Sequence, residues 1–255
     1  MLILAACDRA PKPKPPEHRA EPAAKPAAPR PPVPPIRDDT LDRQGIILAT
    51  LRAMTDAALG HDDTEAQRAF RGRKFSVRIR FGCPGMADPD RSWSYDTKRE
   101  VLRVKVRSTL TAEALPKSDL LMSEYQGLVG FALARPWLLS AGCPAEGYGA
   151  ATAAAPGIVI AQLFTKADSR VQRPQRDYEL TKPLEANAQP GDGLDLVLSG
   201  RLSELADGRP IHCAATAGPP ACIVSARIDR VAIENPASGE LLGEWGTGAG
   251  VSGAN

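Results

Sequence analysis

The chain has 255 residues, of which 24% are charged and 43% hydrophobic, an ordinary composition for a soluble globular protein. Lys and Arg total 32 against 30 for Asp and Glu, so the net charge of +2 gives no general attraction to nucleic acid. No stretch approaches the roughly 18 consecutive apolar residues typical of a membrane-spanning helix, which excludes such a helix from this sequence.

The N-terminus contains the segment Leu4-Ala5-Ala6-Cys7, followed by Asp8. Small residues before a cleavage site suit a signal peptidase, and the segment resembles the lipobox of bacterial lipoproteins. The resemblance implies that residues 1–6 are removed and that the Cys7 thiol carries a diacylglycerol. A complete signal has a basic region and roughly 7–15 apolar residues, so we interpret residues 1–6 as the end of a longer signal peptide. Asp8 is similar to the signal that retains lipoproteins in the inner membrane of some enteric bacteria, which favours that membrane.

Residues 7–37 have the composition of an extended linker. The segment from Pro11 to Pro35 contains 11 prolines in 25 residues and no aromatic residue. Such a stretch cannot bury enough apolar surface to fold, and it favours the polyproline II conformation. At about 3.1 Å per residue it could hold a domain up to ~90 Å from a membrane. We therefore interpret it as a tether between a lipid anchor and a periplasmic domain at residues 38–255.

The folded part begins with one helix and three strands. Apolar residues recur at helical spacing from Leu41 to Leu59, up to Gly60, which predicts a helix. Apolar and basic residues then alternate over 75–83 and over 102–107, and a shorter alternation surrounds Trp93 and Tyr95. A period of two is typical of a half-buried strand. We expect these three strands to form one antiparallel meander.

The remainder of the chain predicts more strands. Residues 119–134 combine helical spacing with alternation and are interpreted as a helical start followed by a strand. The small residues near 144–157 suggest a loop or a boundary between two subdomains. Further strands are predicted at 157–164, 177–184, 194–198, 211–213, 223–233 and 241–245. About nine strands and one helix indicate a mainly β domain, an antiparallel sandwich or barrel-like fold with an N-terminal α-helix.

Four cysteines remain if Cys7 is lipidated, and an even number favours disulfides. Cys213 and Cys222 flank a short connection between two strands, which suits a hairpin-closing bridge, and Cys83 and Cys143 then pair by elimination. The alternatives are free buried thiols or a metal site. A metal site is disfavoured because the sequence has no closely spaced CxxC or HxxxH pair. We therefore expect no metal and no cofactor.

Charge is concentrated in one region, since residues 67–107 contain 12 Lys and Arg against 4 Asp and Glu. Five of these cations occupy the predicted outward positions of two strands: Arg78, Arg80, Arg103, Lys105 and Arg107. If the strands are neighbours, the five form what we call the basic face, a candidate surface for an anionic envelope polymer or lipid headgroups. The alternative is a solvated outer face, where basic residues also discourage edge-to-edge aggregation. The basic face lacks interleaved aromatic residues, which disfavours single-stranded nucleic acid.

No catalytic motif is recognisable: the sequence has no GxSxG, SxxK or HExxH. The sequence therefore predicts a non-enzymatic envelope lipoprotein that binds or braces an envelope component, whether a polymer, lipid or protein. The alternative is an exported hydrolase or glycan-modifying enzyme that uses carboxylates. Two acidic side chains facing each other in a cleft, at roughly 5–10 Å as in glycoside hydrolases, would favour the alternative.

Overall fold

The computed structural model describes residues 40–61, 64–108, 124–144, 157–165, 167, 177–185, 188–214 and 221–246. The proposed lipidation site Cys7, the linker and most of the proposed subdomain boundary lie outside these ranges. Residues 38–255 cluster as one compact unit. The helices are α1 (Arg43–Leu59) and α2 (Thr64–Arg68). The strands are β1 (Lys74–Phe81), β2 (Arg91–Asp96), β3 (Val101–Arg107), β4 (Tyr125–Ala132), β5 (Ile158–Thr165), β6 (Asp177–Pro183), β7 (Leu194–Leu202), β8 (Ile211–Ala214), β9 (Ala221–Asn235) and β10 (Glu240–Gly246).

The predicted N-terminal helix is present, with well-defined ends. The side chain of Asp42 accepts a hydrogen bond from the backbone N–H of Gly45 at 2.8 Å, which caps the free amides of the first turn. Gly60 ends the helix in the left-handed region at a φ of 68°, a conformation that glycine adopts without steric cost. The helix packs against β1, β8 and β9. It thereby covers part of the large sheet.

The strands form two sheets, which confirms the mainly β, sandwich-like prediction. One sheet has the order β1-β7-β9-β5-β4, with β8 and β10 also paired to β9, and the other has the order β2-β3-β6. The long strand β9 is the centre of the large sheet because it pairs with β5 and β8 through its first half and with β7 and β10 through its second. Ile158–Ala161 of β5 runs parallel to β9, and the other pairings are antiparallel.

The two sheets share one apolar core. The alternate residues Leu102, Val104 and Val106 of β3 are at most 3% exposed and belong to the same buried cluster as the inward residues of β1, β7 and β9. Tyr178 of β6 bridges the sheets, with its ring centroid 5.5 Å from that of Trp245 on β10. In β1 and β3, alternation in the sequence therefore identifies the inward face of the strand, as expected for packed sheets.

The predicted meander of β1, β2 and β3 is wrong. β2 and β3 do form an antiparallel hairpin, but β1 pairs with β7 in the other sheet. The partner of β1 therefore lies more than 110 residues further along the chain, from Leu194 to Arg201. Periodicity identified β1 as a strand, yet its apolar-basic alternation resembles that of β3 and carries no information on which strand it joins.

Candidate functional site

The basic face does not form as one surface, because its members lie in two different sheets. Arg78 and Arg80 belong to β1, and Arg103, Lys105 and Arg107 belong to β3. The expectation of five cations on one sheet face is therefore corrected. The physical reason is the strand pairing described above, which separates β1 from the β2-β3 hairpin.

The two arginines of β1 are paired with carboxylates. Arg80 lies directly opposite Asp195 of β7, and its Nε donates to Oδ1 of that residue at 2.6 Å. Arg78 reaches one strand further and donates from Nη2 to Glu234 of β9 at 2.6 Å. This hydrogen bond to Glu234, partly opposed by desolvation, raises the pKa of Arg78. Asp195 is only 4% exposed, so the Arg80 pair is a largely buried ion pair.

The cations of β3 are paired across the small sheet, with one exception. Lys105 donates to Glu179 at 2.6 Å and lies 2.8 Å from Asp177, both on β6. Arg107 is directly opposite Asp177 and 4.0 Å from its carboxylate. Arg103 is instead flanked by hydroxyl-bearing residues of β2 and β6, and no carboxylate among the described residues pairs with it. The sequence missed these pairs because their carboxylates lie on strands remote in the chain.

The cysteines form the two pairs that the sequence predicts. Cys83 is bonded to Cys143, and Cys213 is bonded to Cys222. The second pair joins directly opposed residues of β8 and β9, which explains why a short connection can close it. The first pair ties the end of β1 to the segment that follows β4. These four cysteines therefore serve as cross-links rather than as free thiols.

An arginine cluster, Arg43, Arg80, Arg91 and Arg135, lies where the segment after β4 meets β1. Arg43 is 6% exposed and donates to the backbone carbonyls of Arg78, Ala134, Arg135 and Leu138 at 2.7–3.3 Å. Arg135 donates from Nη2 to the carbonyl of Arg80 at 2.8 Å. The guanidinium groups thus take the place of backbone N–H donors. They thereby connect β1 with the segment after β4, and β1 and β4 are at the opposite ends of the strand order in the large sheet.

Positive charge exceeds negative charge in this cluster. The carboxylates in contact with it are Asp195, bound to Arg80, and Asp88, which accepts from Arg91 Nε at 2.7 Å. Burial, together with Arg135 and Arg91, lowers the pKa of Arg43 to about 10. Burial and the neighbouring Arg91 likewise lower the pKa of Arg135. Each shift has the direction expected when like charges are brought together in a poorly solvated region.

A groove of about 500 Å³ opens beside the arginine cluster. We call it the indole groove, and its walls include Gly82, Met86, Ala87, Asp88, Arg91 and Trp93. The indole Nε1 of Trp93 donates to the carbonyl of Gly82 at 3.3 Å, and a side chain at Gly82 would collide with the ring. Gly82 also has a φ of 67°. Glycine is therefore needed here both for the backbone conformation and for the close approach of the indole.

A histidine-carboxylate pair joins His212 of β8 to Asp207 in the turn before that strand. His212 Nδ1 is 3.2 Å from Asp207 Oδ2, and Arg209 Nε donates to the same carboxylate at 2.9 Å. Burial raises the pKa of Asp207, but hydrogen bonds from His212 and Arg209 outweigh it, so the pKa lies below its ordinary value. Asp207 and Arg209 both lie in the connection between β7 and β8. Their backbone and side-chain contacts are those of a turn stabilised by an aspartate.

Within the described residues, no group of three or more His, Cys, Asp or Glu side chains is arranged to hold a metal ion. None of the helices in the same ranges is long and apolar enough to cross a membrane.

Comparisons of the chain with models of protein families, with characterised proteins and with solved structures found no match.

Proposed function

We propose that the protein is an exported lipoprotein of the bacterial envelope, anchored through Cys7 and carrying a β-domain that binds or braces an envelope component in the periplasm. The observation that carries the proposal is the distribution of the five cysteines. Four form two disulfides within the β-domain, and the fifth is Cys7 of the lipobox-like segment. Disulfides persist in oxidising compartments such as the periplasm, and Cys7 has the sequence context of a lipidated residue.

The tether and the surface of the domain support the same proposal. A proline-rich segment after a lipid anchor would project the domain away from the membrane, where it can reach a polymer, a lipid surface or another envelope protein. One concave surface suited to binding is the indole groove, which combines an arginine, a carboxylate and an aromatic ring. Such a groove supports the recognition of a ligand that has both a charged and an apolar part.

Metabolic labelling with a fatty acid tests the anchor. The chain is expressed in a bacterial host behind a complete lipoprotein signal, and we expect label on the wild type but none on Cys7→Ser. The matched control is Cys213→Ala with Cys222→Ala, which removes two cysteines but keeps the anchor and should remain labelled. An unlabelled wild type would show that the lipoprotein proposal is wrong.

A glycan hydrolase using carboxylates is the second candidate, and Asp90 is the observation that favours it. Burial and the neighbouring Asp88 raise the pKa of Asp90, which is the direction in which the pKa of a carboxylic general acid is tuned. The residues on either side of Asp90 line the indole groove. Release of reducing sugar from cell-wall glycan by the wild type, abolished in Asp90→Asn, would favour the hydrolase over the binding module.

A further inference from the structure

The guanidinium of Arg91 is a buried cation with unused donor capacity. The side chain is 7% exposed, Nε donates to Asp88 at 2.7 Å, and Nη1 donates to the carbonyl of Ala132 at 3.0 Å. Nη2 has no hydrogen-bond partner among the described residues. In those residues, the buried side-chain polar atoms that lack a partner belong to Asp56 and Gln67. Nη2 of Arg91 is not one of these buried atoms, so this nitrogen is accessible to solvent. The indole groove is the opening that this side chain lines.

The Asp88 carboxylate does not compete for that nitrogen. Its Oδ1 accepts from the backbone N–H groups of Asp90 and Arg91 at 3.1 and 3.2 Å, and its Oδ2 accepts from Arg91 Nε. Asp88 therefore fixes both the turn and the orientation of the guanidinium plane. A guanidinium held in this way presents its remaining edge in a defined direction, which is the arrangement that recognises a planar carboxylate.

Charge in the surroundings favours an anion. Arg43 and Arg135 satisfy their donors mainly on backbone carbonyls, which neutralise no charge. The cluster of four guanidinium groups therefore retains two charges beyond those of Asp88 and Asp195, and the carboxylate of Asp90 beside Arg91 offsets one of them. An additional negative charge in this groove would be attracted by the positive charge that remains.

Trp93, two residues along β2 from Arg91 and on the same face of that strand, provides an apolar surface beside the guanidinium. Trp93 packs on Gly82, and its Nε1 is already occupied by the carbonyl of that residue, so the ring is fixed in position. Apolar and aromatic walls with a few placed polar groups are typical of sites for small ligands, and a volume of about 500 Å³ lies in their range. A sugar ring has an apolar face that can lie on an indole while its substituents reach polar groups.

We propose that the indole groove binds a carboxylate-bearing sugar, with the acid on Arg91 and the sugar ring against Trp93. This inference deepens the proposed binding function and rests on it, because it names the chemical class of envelope component that the domain would recognise. A neutral sugar of the same size lacks the group that Arg91 is oriented to accept. Inorganic phosphate has the charge but offers no ring to the indole.

Calorimetric titration of the full chain with intact disulfides tests the proposal, with Cys7→Ser used to keep the chain free of lipid. The probes are N-acetylmuramic acid and glucuronic acid as acidic sugars, N-acetylglucosamine as a neutral sugar and inorganic phosphate as a simple anion. We expect both acidic sugars to bind at least about tenfold more tightly than the neutral one, and more tightly at low salt. Equal binding of the neutral sugar, or no binding of either acid, would overturn the proposal. Phosphate binding as tightly as the acids would show an anion site without sugar recognition and would overturn it too.

Variants at an exposed wall position separate binding from folding. Ala87 lines the groove and is exposed, so Ala87→Glu introduces repulsion without removing a buried group. We expect roughly tenfold weaker binding of the acids to Ala87→Glu, little change for Ala87→Gln, and no change for the matched control Thr97→Glu in the exposed β2-β3 turn. Unchanged binding to Ala87→Glu would place the ligand elsewhere. Because the titration does not depend on the lipid, a failure to bind acidic sugars would not contradict lipid anchoring through Cys7. Likewise, a failure to label Cys7 would not prevent ligand binding to the indole groove from being measured.

Discussion

Removing the Cys83–Cys143 bridge should destabilise the β-domain more than removing the Cys213–Cys222 bridge. The first bridge spans a sequence separation of 60 residues and the second a separation of 9. A cross-link restricts the unfolded chain, and the entropy it removes grows with the logarithm of the loop length. At room temperature this relation gives about 4.3 kcal/mol for the longer loop and about 2.6 kcal/mol for the shorter one.

The two double variants with alanine at both cysteines allow a matched comparison. In each pair one cysteine is at most 4% exposed and the other is partly exposed, so the packing lost on substitution is similar. The difference of about 1.7 kcal/mol in the free energy of unfolding then reports the loop length. Urea titration followed by tryptophan fluorescence measures it. The reasoning is refuted if the short-loop variant is as unstable as the long-loop variant, or less stable.

Two further predictions concern carboxylates. Asp195→Ala should lower the free energy of unfolding by about 3–5 kcal/mol, because it leaves its largely buried arginine partner unpaired. Glu179→Ala removes one member of an exposed pair and should lower the free energy of unfolding by at most about 1 kcal/mol. Similar losses of the two variants in thermal melts would contradict this contrast. The pKa of Asp207 lies below its ordinary value of 3.8, so its contribution to stability is present above that pH and is lost as the pH falls through the lowered value. The free energy of unfolding of Asp207→Asn should therefore fall less steeply below pH 4 than that of the wild type, and parallel acid denaturation curves would count against the His212 and Arg209 contacts.

The strands could be predicted from the sequence because alternation is a local property. Phe75, Val77 and Ile79 face the core at 0–1% exposure, as their spacing predicts. Pairing could not be predicted, because it is decided by groups far away in the chain. Leu194–Arg201 offers β1 a second alternating strand and lies opposite it in register. The short connections between β1, β2 and β3 favoured the meander. In the structure only the second connection joins two paired strands, β2 and β3.

The indole groove had no sequence signal for a related reason. Arg91 precedes Trp93 in a predicted strand, and nothing in its neighbourhood marks a buried cation. Its acceptors are the side chain of Asp88 and the backbone carbonyl of Ala132. Every residue carries a backbone carbonyl, so a guanidinium that binds carbonyls does not require acidic side chains elsewhere in the sequence. The sequence therefore shows no complementary pattern from which such a buried arginine could be predicted. The disulfides were predictable because both partners belong to a rare residue type.

The edge of β1 explains why guanidinium groups of the arginine cluster gather beside this strand. β1 is the last strand of its sheet, and unpaired edges invite pairing with other chains. Leu41 forms backbone hydrogen bonds with Lys74 and Ser76 at the start of this edge, and arginine side chains bind the carbonyls of Arg78 and Arg80 further along. Side-chain donors close the edge without another strand, but each brings a charge that a backbone N–H would not. The charges of Arg43 and Arg135 beside the indole groove are thus a consequence of how the sheet edge is closed, and they are among the charges that would attract the proposed acidic ligand.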